Sequence, residues 1–526
     1  MYMYRDCNIR PSGINSFSVN WCINTKLLRF IPLTPQITET FNQGLATTKQ
    51  QNFSSTSLNR QKRQDEEYEC PSPDGLFADP STCRRFYICS GGYPFSQACP
   101  PSLYFDDIKK FCTFKSKQLT CGPVEMTPTE PPTPDPLEAT KCDLSECQLP
   151  DCFCCSDGTR IPGDLSPEDT PQMILMSFDG GQNFLNFEKY RRVLNESRQN
   201  PNGCPIKATF FVSHEYTSYF YVQKFYSDGH EIAVNSISHR EPEDWWSKAS
   251  YENWTEEMVG QREILIKFAN ISRDSLLGIR APYLKPGGNI MASMVFDYGF
   301  VYDSSIAVPM SNTPVWPYTL DHKIPHRCLS DKCPTHSFPG IWEIPMNTLF
   351  MEDGTGGQCF LADQCVLPNF EEDVFDFLME NFLRHYKTNR APLGLFFRVN
   401  WFNEKVKIKA LYKFIDHILA TYSDAWFVTM QQALFWIRNP VPNSQLGSSY
   451  VPWICEKREP ACNIPTTCAL SFKGEGINDL RYMETCMSCP FQYPWVGNFE
   501  GSYRGKRIIE VTPKDEDIEN NTRKKK

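Results

Sequence analysis

The stretch MILMSFDGGQNF, residues 173–184, runs from apolar residues into one carboxylate, Asp179, followed by two glycines. A buried strand that ends by presenting a carboxylate marks a candidate active site, because burial and nearby charge tune such a group for proton transfer. A metal would need more ligands than this one, and here the carboxylate stands alone. Four further polar residues lie at or near the ends of other apolar runs: Asn235, Arg280, Asp303 and Arg398. The question they raise is whether this is an enzyme or something built like one.

The elements that must position these residues are short apolar runs alternating with helical patterns. The runs are Ile174–Asp179, Ala208–Val212, Glu231–Asn235, Gly278–Tyr283, Phe300–Ser304, Trp342–Met346, Leu393–Val399 and Trp426–Met430. Amphipathic segments such as Glu256–Asn270, Glu371–Tyr386 and Lys405–Tyr422 lie between several of them. Strands that alternate with helices predict a parallel sheet, and about eight such units suggest a barrel. Function then belongs at the C-terminal ends of the strands.

The chain has 526 residues, is 40% apolar and carries a net charge of −9. An acidic chain without a basic stripe is not expected to bind nucleic acid, and the terminal Arg523–Lys526 run reads as a solvated tail. No stretch approaches the ~20 apolar residues of a membrane span. The 23 cysteines are clustered, which points to a disulfide-rich, secreted protein. Sequons at Asn52, Asn195, Asn253, Asn270 and Asn520 agree with a secreted glycoprotein. Residues 1–45 hold no clean hydrophobic signal core; Leu27–Leu33 comes nearest, and Arg29 interrupts it. The cysteines outweigh this, so secretion is expected with the true N-terminus left open. Arg60-Gln-Lys-Arg63 reads either as a convertase site or as a charged linker.

Composition divides the chain into segments. Residues 1–66 are polar and read as disordered or removable. Residues 67–122 form a six-cysteine unit, and 123–141 a Pro/Thr-rich spacer. A cysteine-rich lead-in (142–170) precedes the main domain (171–440). A cysteine-rich extension (441–500) and a polar tail (501–526) follow it.

The six cysteines Cys70, Cys83, Cys89, Cys99, Cys112 and Cys121 have the spacing C-x12-C-x5-C-x9-C-x12-C-x8-C. About fifty residues bury little core, so disulfides must hold this unit. Phe86, Tyr87, Tyr93, Phe95, Tyr104 and Phe105 crowd it, too many for so small a unit to hide, and exposed rings, with Phe86, Tyr87, Tyr93, Phe95 and Tyr104 the candidates, suit the flat apolar faces of sugars. With its CRRFYICSGG stretch, the unit closely resembles the peritrophin-A type of chitin-binding domain. That resemblance implies a small disulfide-rich β domain that binds chitin, paired Cys70–Cys89, Cys83–Cys121 and Cys99–Cys112. The alternative is a disulfide scaffold that binds protein.

In the main domain, GCPIKATFFVSHEYT, RAPYLKPGGN and NRAPLGLFFRVNW resemble chitin deacetylase-like proteins of the polysaccharide deacetylases, carbohydrate esterase family 4. The resemblance covers roughly residues 142–500 and implies an α/β fold, a distorted (β/α) barrel of that type. It also implies hydrolysis of an amide by a divalent metal held by one Asp and two His, with an Asp base, an oxyanion hole and a His acid. Each motif then compares residue by residue. The family's first motif has two adjacent aspartates, base then ligand; here they are Asp179 and Gly180, so the ligand is lost. The His-Ser-x-x-His motif reads Asn235-Ser-Ile-Ser-His239, and only His239 remains as a metal ligand. Arg280-Ala-Pro-Tyr283 is intact: arginine to orient the base, and the Tyr283 N–H for the oxyanion. Asp303-Ser304 is kept. Arg398 stands where the acid histidine belongs, and a guanidinium does not release its proton near neutral pH.

No cofactor is therefore expected; an active form would need zinc or another divalent metal. Arg280 and Arg398 are expected to replace the metal's charge and neutralise Asp179 and Asp303. Trp401 and Tyr283 are candidates for lining a sugar cleft or for plain packing. Fifteen cysteines remain outside the six-cysteine unit once Cys7 and Cys22 are set aside, so one thiol is unpaired, with Cys154 or Cys155 the candidate. Three functions follow. The first is a chitin-binding pseudoenzyme of an extracellular matrix such as cuticle. The second is an active deacetylase with a substitute ligand such as His214 or Asp228. The third is a purely structural matrix protein. Chitin or a related N-acetylglucosamine polymer is the expected partner, with matrix proteins as further candidates.

Overall fold

The computed structural model describes residues 68–100, 103–115, 119, 135–352, 354, 357–474 and 477–503. The chain divides into two compact units, Met1–Thr129 and Glu130–Lys526. In the first, β1 (Gly75–Ala78), β2 (Arg85–Ser90) and β3 (Tyr93–Ala98) form an antiparallel sheet, and β4 (Leu103–Asp106) pairs with β5 (Phe111–Phe114). Its buried centre is small: Ala78, Cys89 and Phe105, with Phe86 stacked on Phe105 at 4.6 Å. Cys70–Cys89 and Cys99–Cys112 brace it. Cys83 is also disulfide-bonded; Cys121 lies outside the described residues.

In the second unit, β6 (Gln172–Gly180), β7 (Thr209–Ser213), β8 (Glu231–Ser236), β9 (Gly278–Ile279) and β10 (Tyr302–Asp303) lie side by side in parallel. The short strands β11 (Ala307–Val308) and β14 (Met346–Asn347) pair beyond β10. The main sheet continues through β13 (Trp342–Glu343) to antiparallel β12 (Tyr318–Thr319), and on its other side from β6 to β15 (Leu393–Arg398). β16 (Ala425–Phe427) pairs with the start of β6. The residues of β6 from Gln172 to Phe178 are all buried, as a strand covered on both faces requires. The sheet is a curled partial barrel whose order ends at β12 and β15.

The eight apolar runs each supply a strand, but those at 278–283, 300–304 and 342–346 give ladders only two residues long. Helices α1 (Phe184–Val193), α2 (Tyr219–Ser227), α3 (Asp244–Lys248), α4 (Tyr251–Trp254), α5 (Gly260–Ala269) and α6 (Asn289–Asp297) follow the strands. They are joined later by α7 (Glu371–Tyr386), α8 (Lys405–Thr421) and α9 (Met430–Arg438). α7 buries Val374, Phe377, Leu378, Asn381 and Phe382, the stripe its sequence spacing predicts, and packs on α8.

The cysteine-rich flanks belong to the same compact unit as the sheet. Cys142–Cys154 and Cys147–Cys152 fold the lead-in, and among the described residues Cys155 is the free thiol, buried. Cys204–Cys455 ties the segment after α9 back to the approach to β7. The extension, whose sequence pattern predicts no strand, is ordered. It forms a hairpin of β17 (Thr466–Gly474) and β18 (Ile477–Thr485), fastened by Cys462–Cys486 and Cys468–Cys489.

Candidate functional site

A cleft of about 870 Å³ opens at the C-terminal ends of β6, β7, β8 and β15. Asp179, Gly180, Asn235, His239, Tyr283 and Arg398 all line it. Residues far apart in the chain meet there because parallel strands bring all their C-terminal ends to one side. Asp303 and Trp401 are not part of the lining.

Asp179 is held by Arg280. The guanidinium Nη1 lies 2.7 Å from Asp179 Oδ1 and donates to Ser177 Oγ at 2.7 Å; Nε donates to the Ser304 carbonyl at 2.8 Å, and Nη2 to Ser304 Oγ at 2.9 Å. The rings of Phe211 and Phe396 cover it at 4.0 and 4.4 Å. Arg280 is fully buried, so its charge acts at short range with little screening. Burial raises the Asp179 carboxyl above its ordinary value, and the Arg280 pair opposes that rise.

The donors beside Asp179 do not make a metal site. A Cβ placed on Gly180 meets nothing within 4 Å, but φ is +113°, a backbone suited to glycine. Asn235 donates from Nδ2 to the Arg280 carbonyl at 3.1 Å, which leaves its buried Oδ1 without a partner. His239 stacks obliquely on Tyr283, with ring centroids 4.4 Å apart, and its backbone carbonyl accepts from the Tyr283 hydroxyl at 3.1 Å. Burial, and next the Arg398 charge, lower the His239 pKa, so the ring is neutral at physiological pH. One imidazole, one amide oxygen and a glycine do not fit zinc, which takes three protein ligands in catalytic sites. Among the described residues Cys147, Cys154 and His322 also cluster, but both sulfurs are in disulfides.

The structure corrects the charge arrangement expected for Arg398. Its Nε bonds Asp363 Oδ2 at 2.9 Å, and its backbone N–H donates to Asp363 Oδ1 at 3.0 Å. Arg398 therefore pairs with neither Asp179 nor Asp303. Asp363 sits in the loop closed by Cys359–Cys365, and its charge also reaches Asp179. Asp303 makes no ion pair with an arginine among the described residues, although the Arg280 charge reaches it. It lies opposite Glu343 in the β10–β13 ladder and accepts a hydrogen bond from the Ser305 hydroxyl. Glu343 accepts from the Ser305 and Ile306 backbone N–H groups at 3.2 and 2.9 Å. Burial raises Asp303 to about 6, and burial with the Asp303 charge lifts Glu343 well above its usual range. Two carboxyls so close in a dry interior resist carrying two charges.

Trp401 is fully buried and packs against Phe397 at 5.2 Å, so it lines no cleft. The suggested substitute ligands are elsewhere too. His214 is fully buried, its Nδ1 on the Tyr219 hydroxyl at 2.5 Å and its Nε2 on the Pro494 carbonyl at 2.8 Å. Asp228 belongs to a separate hollow beside Lys207. Sequence reading missed one wall of the cleft altogether, formed by Phe472, Arg481 and Trp495 of the extension. Arg481 lies 3.6 Å from the Phe472 ring and 3.1 Å from Glu215. Tyr216, 80% exposed, stands on the same rim. The paired cysteines around 466–485 were the available signal for an ordered element there.

In the small unit the five candidate rings divide. Tyr93 and Phe95, 73% and 55% exposed, alternate onto one face of β3. Phe86 is stacked on the core, Tyr87 on Tyr68 at 3.8 Å, and Tyr104 accepts from Arg84 at 3.2 Å. These three are half-buried. Phe111 and Phe114, not singled out from the sequence, are exposed.

Residues 70–121 match the family model described as the chitin binding peritrophin-A domain. Chitin deacetylase 1 of Bombyx mori is 44% identical over 70% of this chain and 70% of its own length. Chitin deacetylase 8 of the same organism is 40% identical over 68% of this chain and 93% of its own. A solved peptidoglycan deacetylase from Bacillus subtilis aligns at 15% identity and a TM-score of 0.28, covering 52% of this chain and 94% of that chain.

Proposed function

Because the chain belongs to the chitin deacetylase family, we propose that it is a secreted, chitin-binding matrix protein whose deacetylase-like cleft recognises sugar without hydrolysing it. The observation that carries this is the donor set around Asp179. In the family's terms, Asp179 holds the position of the base, Arg280 that of the residue orienting it, and Tyr283 that of the oxyanion-hole N–H, and both Asp179 and Tyr283 line the cleft. Gly180 and Asn235 occupy two ligand positions, and only His239 is left to bind metal. Arg398, at the acid's position, is bound to Asp363 and has no proton to give near neutral pH. Asp303, a further family position, is buried against Glu343 away from the cleft.

Attachment to chitin falls to the small domain. Tyr93 and Phe95 offer adjacent exposed rings on which apolar sugar faces can stack. Its disulfides suit an oxidising, extracellular setting, where they persist.

The test is to purify the full chain, measure bound zinc and other divalent metals, and assay acetate release from chitin oligosaccharides alongside retention on chitin beads. The expected result is retention with no stoichiometric metal and no acetate. Stoichiometric metal together with acetate release would overturn the reading.

A further inference from the structure

One of the three sequons among the described residues opens onto a hollow. Asn195, in the turn after α1, and Asn270, at the C-terminal cap of α5, are both exposed. Asn253 instead lies half-buried in α4, with Thr255 completing its Asn-Trp-Thr motif. It lines a hollow of about 270 Å³. Arg240 and Trp245, from the segment between β8 and α4, line the same hollow, as do Gly474, Trp495 and Val496 of the extension. The Asn253 backbone N–H donates to Ser250 Oγ at 3.3 Å, but its side-chain amide makes no hydrogen bond among the described residues. The Arg240 guanidinium makes no hydrogen bond or ion pair among them either; it lies 5.2 Å from the centre of the Trp245 ring. Glu257, the carboxylate of the lining, feels the Arg240 charge but is spent on the Ile237 and Ser238 N–H groups and the Ser238 hydroxyl.

We propose that Asn253 carries an N-linked glycan whose first N-acetylglucosamine folds back into this hollow and becomes part of the edge of the cleft. The inference rests on the secretory route in the reading above and on nothing at the cleft floor. The co-reactant is an oligosaccharide linked to a lipid through pyrophosphate. Asn253 Nδ2 gives up one proton and forms the bond to C1 of the sugar; the C1–O bond breaks and the pyrophosphate leaves on its lipid. Thr255 is buried in the folded chain, so transfer precedes the folding of α4. The amide stays planar after linkage, and the first ring starts one bond from Nδ2. It therefore meets the hollow at an effective concentration on the order of mM, where a weak contact suffices to seat it. Trp245 and Trp495, both half-buried, offer indole surface to the apolar face of the ring. The free Arg240 guanidinium donates to the sugar oxygens. Arg240 and Trp495 also line the cleft, so the seated sugar borders it and covers the seam between α4 and the extension.

The test secretes the full chain from cultured animal cells behind a supplied signal sequence, so that the outcome does not depend on how the chain reaches the secretory pathway. Occupancy of each sequon is read by peptide mass after a glycan-releasing amidase has acted in heavy-oxygen water. Asn253 should be occupied. The amidase should then act on the folded protein about tenfold more slowly at Asn253 than it does in the Trp245→Ala and Arg240→Ala variants, as the loss of one ring stack or hydrogen bond allows. The rates should be equal once all three proteins are denatured. Arg240→Ala, at an exposed position, should keep the wild-type thermal midpoint, so that an unseated glycan is separated from a loosened fold. An unoccupied Asn253 overturns the proposal. So does a release rate from the folded protein that neither variant raises. Metal content, acetate release and chitin retention, measured on the same preparation, decide the wider reading independently.

Discussion

Replacing Arg280 with methionine isolates the interaction that holds the cleft floor together. The guanidinium is fully buried, 2.7 Å from Asp179, and bonded to Ser177 and Ser304. Methionine fills similar space between Phe211 and Phe396 but leaves Asp179 as an uncompensated carboxylate whose side chain is 11% exposed. Removing one partner of a buried pair costs about 3–5 kcal/mol, because the remaining charge keeps its desolvation penalty. For a large domain that corresponds to a fall in Tm on the order of 5–10 °C. The loss depends on pH in a defined direction. Without Arg280, the folded-state pKa of Asp179 rises further above the unfolded value of roughly 4. The variant is then closest to wild type below that value, where the carboxyl is protonated in both states, and falls behind as pH rises through the folded pKa. Thermal unfolding of both proteins with disulfides intact, at pH 4.5 and pH 8, reads this directly. Asp179→Asn combined with Arg280→Met should recover most of the loss at pH 8. A deficit under about 1 kcal/mol, or one equal at the two pH values, would refute the assignment of Asp179 as a charge dependent on Arg280.

Three other outcomes are expected. Gly180→Asp with Asn235→His restores a one-Asp, two-His donor set with His239, and equilibrium dialysis should show zinc uptake near one equivalent, where the unsubstituted chain takes up none. Because φ at position 180 is +113°, the same variant should lose roughly 1–3 kcal/mol of stability without metal. Glu343→Gln should flatten the pH dependence of stability. In the wild type the raised Asp303 and Glu343 pKa values mean that the folded state holds protons the unfolded chain has released, so stability falls as pH climbs from about 4 through 6 and beyond. The variant should gain on the order of 1–3 kcal/mol relative to wild type between pH 5 and pH 8, read by urea unfolding. Tyr93→Ala with Phe95→Ala should release the protein from chitin beads at least tenfold more readily, while leaving the unfolding of the larger unit unchanged.

The strand positions were legible because parallel strands buried on both faces read as continuous apolar runs, and β6 and β15 follow theirs closely. The bounds of α7 were legible too, through a 3.6-residue stripe that starts on acidic residues. What the sequence concealed were pairings set by loops. Arg398 finds Asp363 thirty-five residues earlier, in a disulfide-closed turn with no periodicity of its own. Asp303 meets Glu343 because a two-residue ladder sets them opposite each other, and so short a ladder leaves no pattern. Trp401 follows immediately on a cleft-lining segment, yet lies in the turn after β15 that tucks it inward. The β17–β18 hairpin was hidden because its exposed face mixes apolar Leu480 and Tyr482 with polar neighbours, which blurs the alternation of a half-buried strand.

The wall contributed by that hairpin has a consequence for synthesis. The last strand of the sheet ends at Phe427, whereas the hairpin is finished only at Thr485, and the Pro494 carbonyl that His214 needs comes later still. Cys204 likewise waits 251 residues for Cys455. At roughly 5–20 residues per second, a growing chain spends several seconds with one side of the cleft unmade and the Pro494 partner of His214 Nε2 still to come. During that interval Phe211 and Phe396 are in place, but the cover over Glu215 is not. The segment from Cys455 to Trp495 therefore acts as a closing piece, and a ribosome that stalls shortly after α9 would release a sheet that still has no finished cleft wall.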